Sequence, residues 1–520
     1  MIKRLLERRF LSILTAAGAI ALSGCGPGSQ MGEELSTSEQ ALVSNPDPAV
    51  APDLTQATAG SVLLVGTILD AKGVPVPGVT VGLSGAASHS AITSSNGVYS
   101  FANLPAGTYT VRPTKAGATF TPGSSTFNAT TAADHSFACT GNCEGAATVD
   151  PLKEIMVVNP SVVNDARASN AADGHWSFRF LMEQMAPVGV DPAVFTENFF
   201  QSFKSTTPVN GFSVDDRSGI DSALLTNPTV WPRVNGKLDL SKAPFQLMAI
   251  VNRTDLHIVG DGESRFVFGL FEGGVGQRCT IIFEYRLPTT NPATGAAILR
   301  NDWVKQFHAL GALPFGSTYN SKLQAITDQF TLRGSNPANP NGNAISQVRT
   351  NEIQFGNGLP WQLREFHLVN DSTGKGALKL VQVGQTPDDS KNGDPALATF
   401  IQNNAITIST GLATIPSSFI GGQSVENFQT WAFPTLPTSF ETARHKFAGQ
   451  TCNGCHSIET SANIDIFYQV SPLSAPGTTG TGNVSPFILT TELPRRTRFM
   501  QNRLVCTGGS NCSPGAEPME

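Results

Sequence analysis

Val79-Thr80-Val81-Gly82-Leu83 alternates large apolar with small or polar residues, and Tyr99-Ser100-Phe101 and Tyr109-Thr110-Val111 repeat the pattern. A side-chain period of two is that of a strand with one buried face. Turn-forming stretches separate these runs: Asp70-Ala71-Lys72-Gly73, Ser95-Asn96-Gly97 and Pro105-Ala106-Gly107. The spacing predicts about seven short strands closed into a sandwich.

Two longer stretches carry a family resemblance. They are Gly66-Thr-Ile-Leu-Asp-Ala-Lys-Gly-Val-Pro-Val-Pro-Gly-Val-Thr-Val and Asn96-Gly-Val-Tyr-Ser-Phe-Ala-Asn-Leu-Pro-Ala-Gly-Thr-Tyr-Thr-Val. Together they resemble the carboxypeptidase regulatory-like domain, which implies a prealbumin-like β-sandwich over residues 61–145. In relatives such a domain acts as a spacer or contacts carbohydrate or protein, so glycan contact is an expectation here. Peptidase activity is not implied, because it belongs to a separate zinc domain and no His-Glu-x-x-His occurs in the chain. Cys139 and Cys143 close the module and are expected to form a small-loop disulfide.

Upstream, Lys3, Arg4, Arg8 and Arg9 precede a short apolar run, and Leu22-Ser23-Gly24-Cys25 follows. This resembles a bacterial lipoprotein signal over residues 1–24, which implies lipidation of Cys25 after cleavage. Gly26 in place of Asp favours the outer membrane over the inner. Residues 25–60 are rich in Gly, Pro, Ser and Thr and read as a disordered tether. Its reach as a coil is about 30–35 Å. Beyond the first 24 residues no apolar run is long enough to span a bilayer. The membrane partner is therefore expected through lipid alone. The composition is that of a loop-rich, β-leaning exported protein, with 50 Gly, 34 Pro and only 14% charged residues. A net charge of −6 with no long basic run in the body argues against nucleic acid as a partner.

Residues 150–435 predict an α+β domain with a mainly antiparallel sheet, of unrecognised function. Short helices are expected over 176–185 and 194–203, and a long helical stretch over 301–330. Strands are expected at Phe245-Gln-Leu-Met-Ala-Ile-Val, Arg265-Phe-Val-Phe-Gly-Leu-Phe, Cys279-Thr-Ile-Ile-Phe-Glu-Tyr, Gln347-Val-Arg-Thr-Asn-Glu-Ile, Gln362-Leu-Arg-Glu-Phe-His-Leu and Leu378-Lys-Leu-Val-Gln-Val. Arg253, Asp255, Glu263, Arg265, Glu284, Arg349, Glu352, Arg364 and Glu365 sit in or beside them, and alternation would aim several at one face. A polar cleft with general acid–base groups is one reading. The plainer expectation is a solvated sheet face laced with ion pairs. His257, His308 and His367 read as structural or surface residues. No nucleophile elbow, phosphate loop or dinucleotide fingerprint is present.

The chemistry lies further on, at Thr451-Cys452-Asn453-Gly454-Cys455-His456. C-x-x-C-H is the attachment pattern for a c-type haem: two thiols meet the vinyl groups and the next imidazole ligates iron. A chance match is rare with eight Cys and eight His in 520 residues. A Cys452–Cys455 disulfide or half a zinc site are the alternatives, and zinc lacks a second clean pair. The stretch from Arg444 to His456 resembles the start of a class I cytochrome c, a helix running straight into the attachment turn. That resemblance implies thioethers at Cys452 and Cys455, His456 as the axial ligand, and a distal Met or His. Met500 is the candidate in sequence, His445 a second, and an open sixth position the third. Residues 436–520 are short for a complete cytochrome, which predicts that they dock on the central domain. Arg495, Arg496 and Arg498 are candidates to pair with haem propionates, or else a solvated face. Cys506 and Cys512 are expected to form a terminal disulfide, which leaves Cys279 unpaired or bridged to a motif thiol.

The expected fold is thus multidomain: an N-terminal β-sandwich, a central α+β domain and a small, mostly α haem-binding segment. The expected function is an envelope lipoprotein with one haem c (iron), passing electrons to a redox partner the sequence does not name. A haem-dependent peroxidase or oxygenase and a non-haem surface binding protein are the alternatives.

Overall fold

The computed structural model describes residues 62–505 except for 72–75, 94–96, 130–132, 144–147, 257–261, 357–359, 371–374, 410–412, 427–430, 461–466, 474–475, 477–480 and 482. Cys25, His257, Cys506 and Cys512 lie outside the described residues.

The N-terminal domain is a sandwich of two sheets. One orders the strands Val98–Leu104, Val62–Asp70, Phe137–Gly141 and Ala118–Thr121, with Ala133–Asp134 also on Val62–Asp70. The other orders His89–Ile92, Thr80–Gly85, Gly107–Thr114 and Ser125–Ala129. Alternation works as expected: Tyr109 and Val111 point inward with Val81, Leu83, Tyr99 and Phe101, while Thr108 and Arg112 face out. Cys139 and Cys143 are disulfide-bonded.

The central domain is mixed α+β around an antiparallel sheet. Its strands run in the order Met156–Val157, Phe245–Arg253, Glu263–Glu272, Val275–Arg286, Ile345–Glu352, Gln362–Asn370 and Gly376–Leu380. Ser424–Val425 also pairs with Gln362–Asn370, and every pairing is antiparallel. One face carries Phe266, Phe268, Ile281, Phe283, Val348 and Phe366 into the main core. Helices Phe178–Met185 and Pro192–Gln201 press aromatic rings onto it: Phe178 lies 4.5 Å from Phe245 and 5.5 Å from Phe283, and Phe199 4.9 Å from Phe366. The helical stretch expected over 301–330 is two helices, Arg300–Gly311 and Ser317–Thr331. Pro314 lies in the break, where it has no N–H to continue the first helix.

The boundary expected near 436 does not separate two cores. Val470, Val484, Ile488, Leu493 and Met500 belong to the main core. Phe467 and Tyr468 pack with Trp361, Leu363 and Val383. Helix Glu441–Gly449 packs Ala443, Phe447 and Ala448 against Leu397, Ile401 and Trp431. The helix Leu493–Val505 is fastened by charge as well. Arg495 donates to Asp255 at 2.8 Å, and Arg253 donates to the same carboxylate at 2.9 Å. Burial opposes ionisation of Asp255, but Arg253, Arg495 and Arg496 outweigh it and hold the carboxyl well below its usual range. Arg498 of this helix reaches the sandwich, donating to Asp70 at 2.7 Å. Arg495, Arg496 and Arg498 are therefore buried and do not form a solvated face. Among the described residues no helix is long and apolar enough to cross a membrane.

Candidate functional site

The second face of the central sheet decides the site. Arg265, Val267, Thr280, Ile282, Glu284, Arg349, Asn351 and Leu363 share it by register. It is not solvated: Glu284 is 0%, Glu365 4% and Arg349 7% exposed. The expected ion-pair-laced surface is instead the floor of a cleft roofed by the C-terminal residues. About 940 Å³ in and around it, mouth included, is free of protein atoms. Cys452, Cys455 and His456 line this space, with Gln469, Val470, Ile488 and Arg496.

The motif itself is held tightly. Cys452–Cys455 is a single helical turn, and three-residue spacing puts both thiols on one side. Thr451 caps it, its hydroxyl accepting from Gly454 N–H at 3.4 Å and from the Trp431 indole at 2.9 Å. Trp431 adopts a positive φ of 56° to reach that hydroxyl, a conformation costly for a bulky residue. Gly454 is dictated by sterics, since a Cβ there would lie 1.9 Å from the carbonyl oxygen of Ala448. The Cys452 N–H donates to Thr386 Oγ1 at 2.9 Å, and Gln469 Nε2 donates to the Cys455 carbonyl at 2.8 Å.

His456 is half-buried and oriented from two sides. Its ring stacks on Trp361 at 5.3 Å and 19°. Its Nδ1 bonds the carbonyl oxygen of Phe467 at 2.7 Å. A carbonyl only accepts, so Nδ1 carries the proton and Nε2 carries the lone pair in the neutral ring.

The charged floor is a network of compensated ions. Arg349 donates to Glu365 at 3.0 Å. Burial opposes it, but Arg349 and His367 bring Glu365 down to about 2. Glu263 goes the other way, to about 7, because burial and Glu284 outweigh Arg265. Glu284 Oε1 is buried without a hydrogen bond, 3.8 Å from both Arg265 and Arg349.

Other predicted residues lie apart from the cleft. Met500 is 1% exposed in the main core and is not on the cleft wall. His445 pairs with Glu459 on the outer side of its helix, 55% exposed. Met156 does line the cleft, but its strand is four pairings from that of Asn351, about 19 Å along the sheet. His308 bonds Glu154 at 2.8 Å and His367 bonds Glu365 at 2.8 Å. Cys279 is a free buried thiol, so neither motif thiol is bridged to it. Among the described residues no group of three or more His, Cys, Asp or Glu could hold a metal ion on its own. The sequence reading missed Asn351, Trp361 and Gln469, which no local pattern connects to residue 456.

Comparison with known proteins bears on the sandwich. Residues 64–140 match the carboxypeptidase regulatory-like domain, and this part of the chain is such a prealbumin-like sandwich. Among solved structures, the chain is similar to the Bacillus anthracis TIE protein, at 20% identity over 15% of this chain and 16% of that one, TM-score 0.14. It is also similar to a Streptococcal ancillary pilin, at 16% identity over 15% of this chain and 32% of that one, TM-score 0.14. The chain thus matches a third or less of the length of either. No curated protein matches the chain.

Proposed function

We propose that the chain is an envelope lipoprotein, anchored through Cys25, that carries one covalent haem c in the cleft and passes electrons. The observation that carries this is the convergence of Cys452, Cys455 and His456 on one cleft. The donor set fits the group. Each thiol would add S–H across a vinyl double bond, forming a thioether with no oxidant needed. His456 offers Nε2 as the axial ligand with its tautomer already fixed at Nδ1. Val251, Val267, Ile282 and Leu363 would offer the group an apolar wall, and Arg265, Arg349 and Arg496 would offer its carboxylates cationic partners. A porphyrin supplies four of the iron's ligands, so the missing three-residue metal cluster does not count against it. When bound, the group supplies reversible one-electron chemistry; Cys452, partly exposed, marks the edge nearest a partner.

Haem staining of the denatured full-length chain, with intact mass, tests this. The wild type should stain and the Cys452→Ala/Cys455→Ala double variant should not. Colourless wild type from a host with a working maturation system sinks the proposal. A second reading, a haem-dependent enzyme with an open sixth position, is favoured by the absence of Met or a second His beside His456 on the described cleft wall. Carbon monoxide binding to the reduced protein separates the two. A third reading, surface binding of glycan or protein by the sandwich, draws on the family match alone.

A further inference from the structure

The Phe467 carbonyl accepts twice. His456 Nδ1 donates to it at 2.7 Å, and Asn351 Nδ2, from the floor of the cleft, donates to it at 3.2 Å. The indole of Trp361, whose face stacks on the His456 ring, donates in turn to Asn351 Oδ1. Both supporting side chains are buried: Asn351 is 2% and Trp361 0% exposed. The order of donation matters. Trp361 polarises the Asn351 amide and so strengthens its N–H as a donor. The strengthened donor draws electron density from the same carbonyl that His456 uses. The carbonyl then pulls less on the Nδ1 proton, and the imidazole keeps less negative character at Nε2.

From this we infer that Asn351 is a positioning residue for His456, and that the Trp361–Asn351–Phe467 relay raises the reduction potential of the site. The inference rests on the haem reading above. An axial imidazole whose outer N–H is strongly accepted is a better donor to iron and favours the ferric state. Competition by Asn351 works the opposite way. It also explains why the central sheet and the C-terminal segment share buried contacts: the ligand is tuned from a strand more than a hundred residues upstream. Asn351→Leu keeps the branched heavy-atom outline, in a somewhat larger side chain, and removes both bonds. Trp361→Phe keeps an aromatic ring beside His456, though a smaller one, and removes the polarising donor.

Spectroelectrochemical titration of full-length holoprotein is the test, alongside haem staining and a thermal melt. Asn351→Leu should retain covalent haem and shift the reduced-to-oxidised ratio at fixed potential about threefold toward oxidised, about 30 mV lower at 59 mV per tenfold for one electron. Trp361→Phe should move it the same way by less. An unchanged or raised potential in both variants overturns the relay while the haem reading stands. If Asn351→Leu does not fold, Trp361→Phe decides: it cuts the same relay with a smaller ring, and an unchanged or raised potential in it overturns the relay. A wild type without haem removes the premise, and the stain reports that separately.

Discussion

The sandwich and the central sheet solve burial differently. In the sandwich strand Gly107–Thr114, burial alternates residue by residue, and charge stays outside. In the central strand Glu263–Glu272, nearly every residue is buried, because helices cover one face and the C-terminal segment roofs the other. The first arrangement spends its polar residues on solvent. The second takes Glu263, Glu284 and Arg349 out of water, so each must be compensated by a neighbouring charge. Arg265, Glu284 and Arg349 line the cleft.

The sharpest way to break that contrast is to remove one member of the buried network. Arg349→Leu takes the guanidinium away from Glu365 and Glu284, which keep only His367 and Arg265 beside them in a buried network. We expect a loss of about 3–5 kcal/mol in urea or thermal unfolding. Arg112→Leu, on the outer face of the sandwich, should stay within about 0.5 kcal/mol. Similar losses at both positions would mean that the central face is hydrated after all.

Acid–base behaviour sharpens the contrast next. Glu263 titrates near 7 in the fold against an ordinary value of 4.5. The folded state therefore holds a proton that the unfolded chain has released, and stability falls as pH rises from 4.5 through about 7. The decline is on the order of 2–3 kcal/mol and should vanish in Glu263→Gln. Glu365, brought down to about 2, has the opposite sign: its contribution is present above 4.5 and lost as pH falls through about 2. Denaturant melts across this range check both limbs, and a flat wild-type profile between 4.5 and 7 would refute the assignment to Glu263.

Legibility follows the same divide. Val81, Leu83, Tyr109 and Val111 announce their strands because water on one side enforces a period of two. The central strands were also readable as strands, from their β-branched and aromatic runs. Their second face was not, since a charged residue in a strand normally means solvent, and only tertiary packing reveals Glu284 or Arg349 as buried. The motif Cys452 to His456 is local and so could be seen. Asn351 and Trp361 lie 105 and 95 residues before His456, and Thr386 lies 66 before Cys452; none carries a signature of its own. The same distance argument explains Met500: its 44-residue separation from His456 suggested a ligand, whereas its helix seats it in the core.

Gly454→Ala tests the motif's own packing. A methyl group 1.9 Å from the Ala448 carbonyl must push the turn off helix Glu441–Gly449. We expect about 1–3 kcal/mol of destabilisation and a lower haem-stained fraction per chain. Full staining at wild-type stability would show that the turn is free to shift.

The smallest effect belongs to the sandwich. Tyr109 is fully buried, and its hydroxyl donates to the Pro105 carbonyl at 2.7 Å, pinning the turn before its strand. Tyr109→Phe removes that one bond and keeps the ring, so about 1 kcal/mol should be lost. The sandwich has its own core, separate from the residues that line the cleft. The change should therefore leave the decline between pH 4.5 and about 7 untouched and, on the proposed haem reading, haem staining and the reduction potential as well. If Tyr109→Phe instead moved any of these, the two sheets would be coupled more closely than the Arg498–Asp70 contact between them suggests.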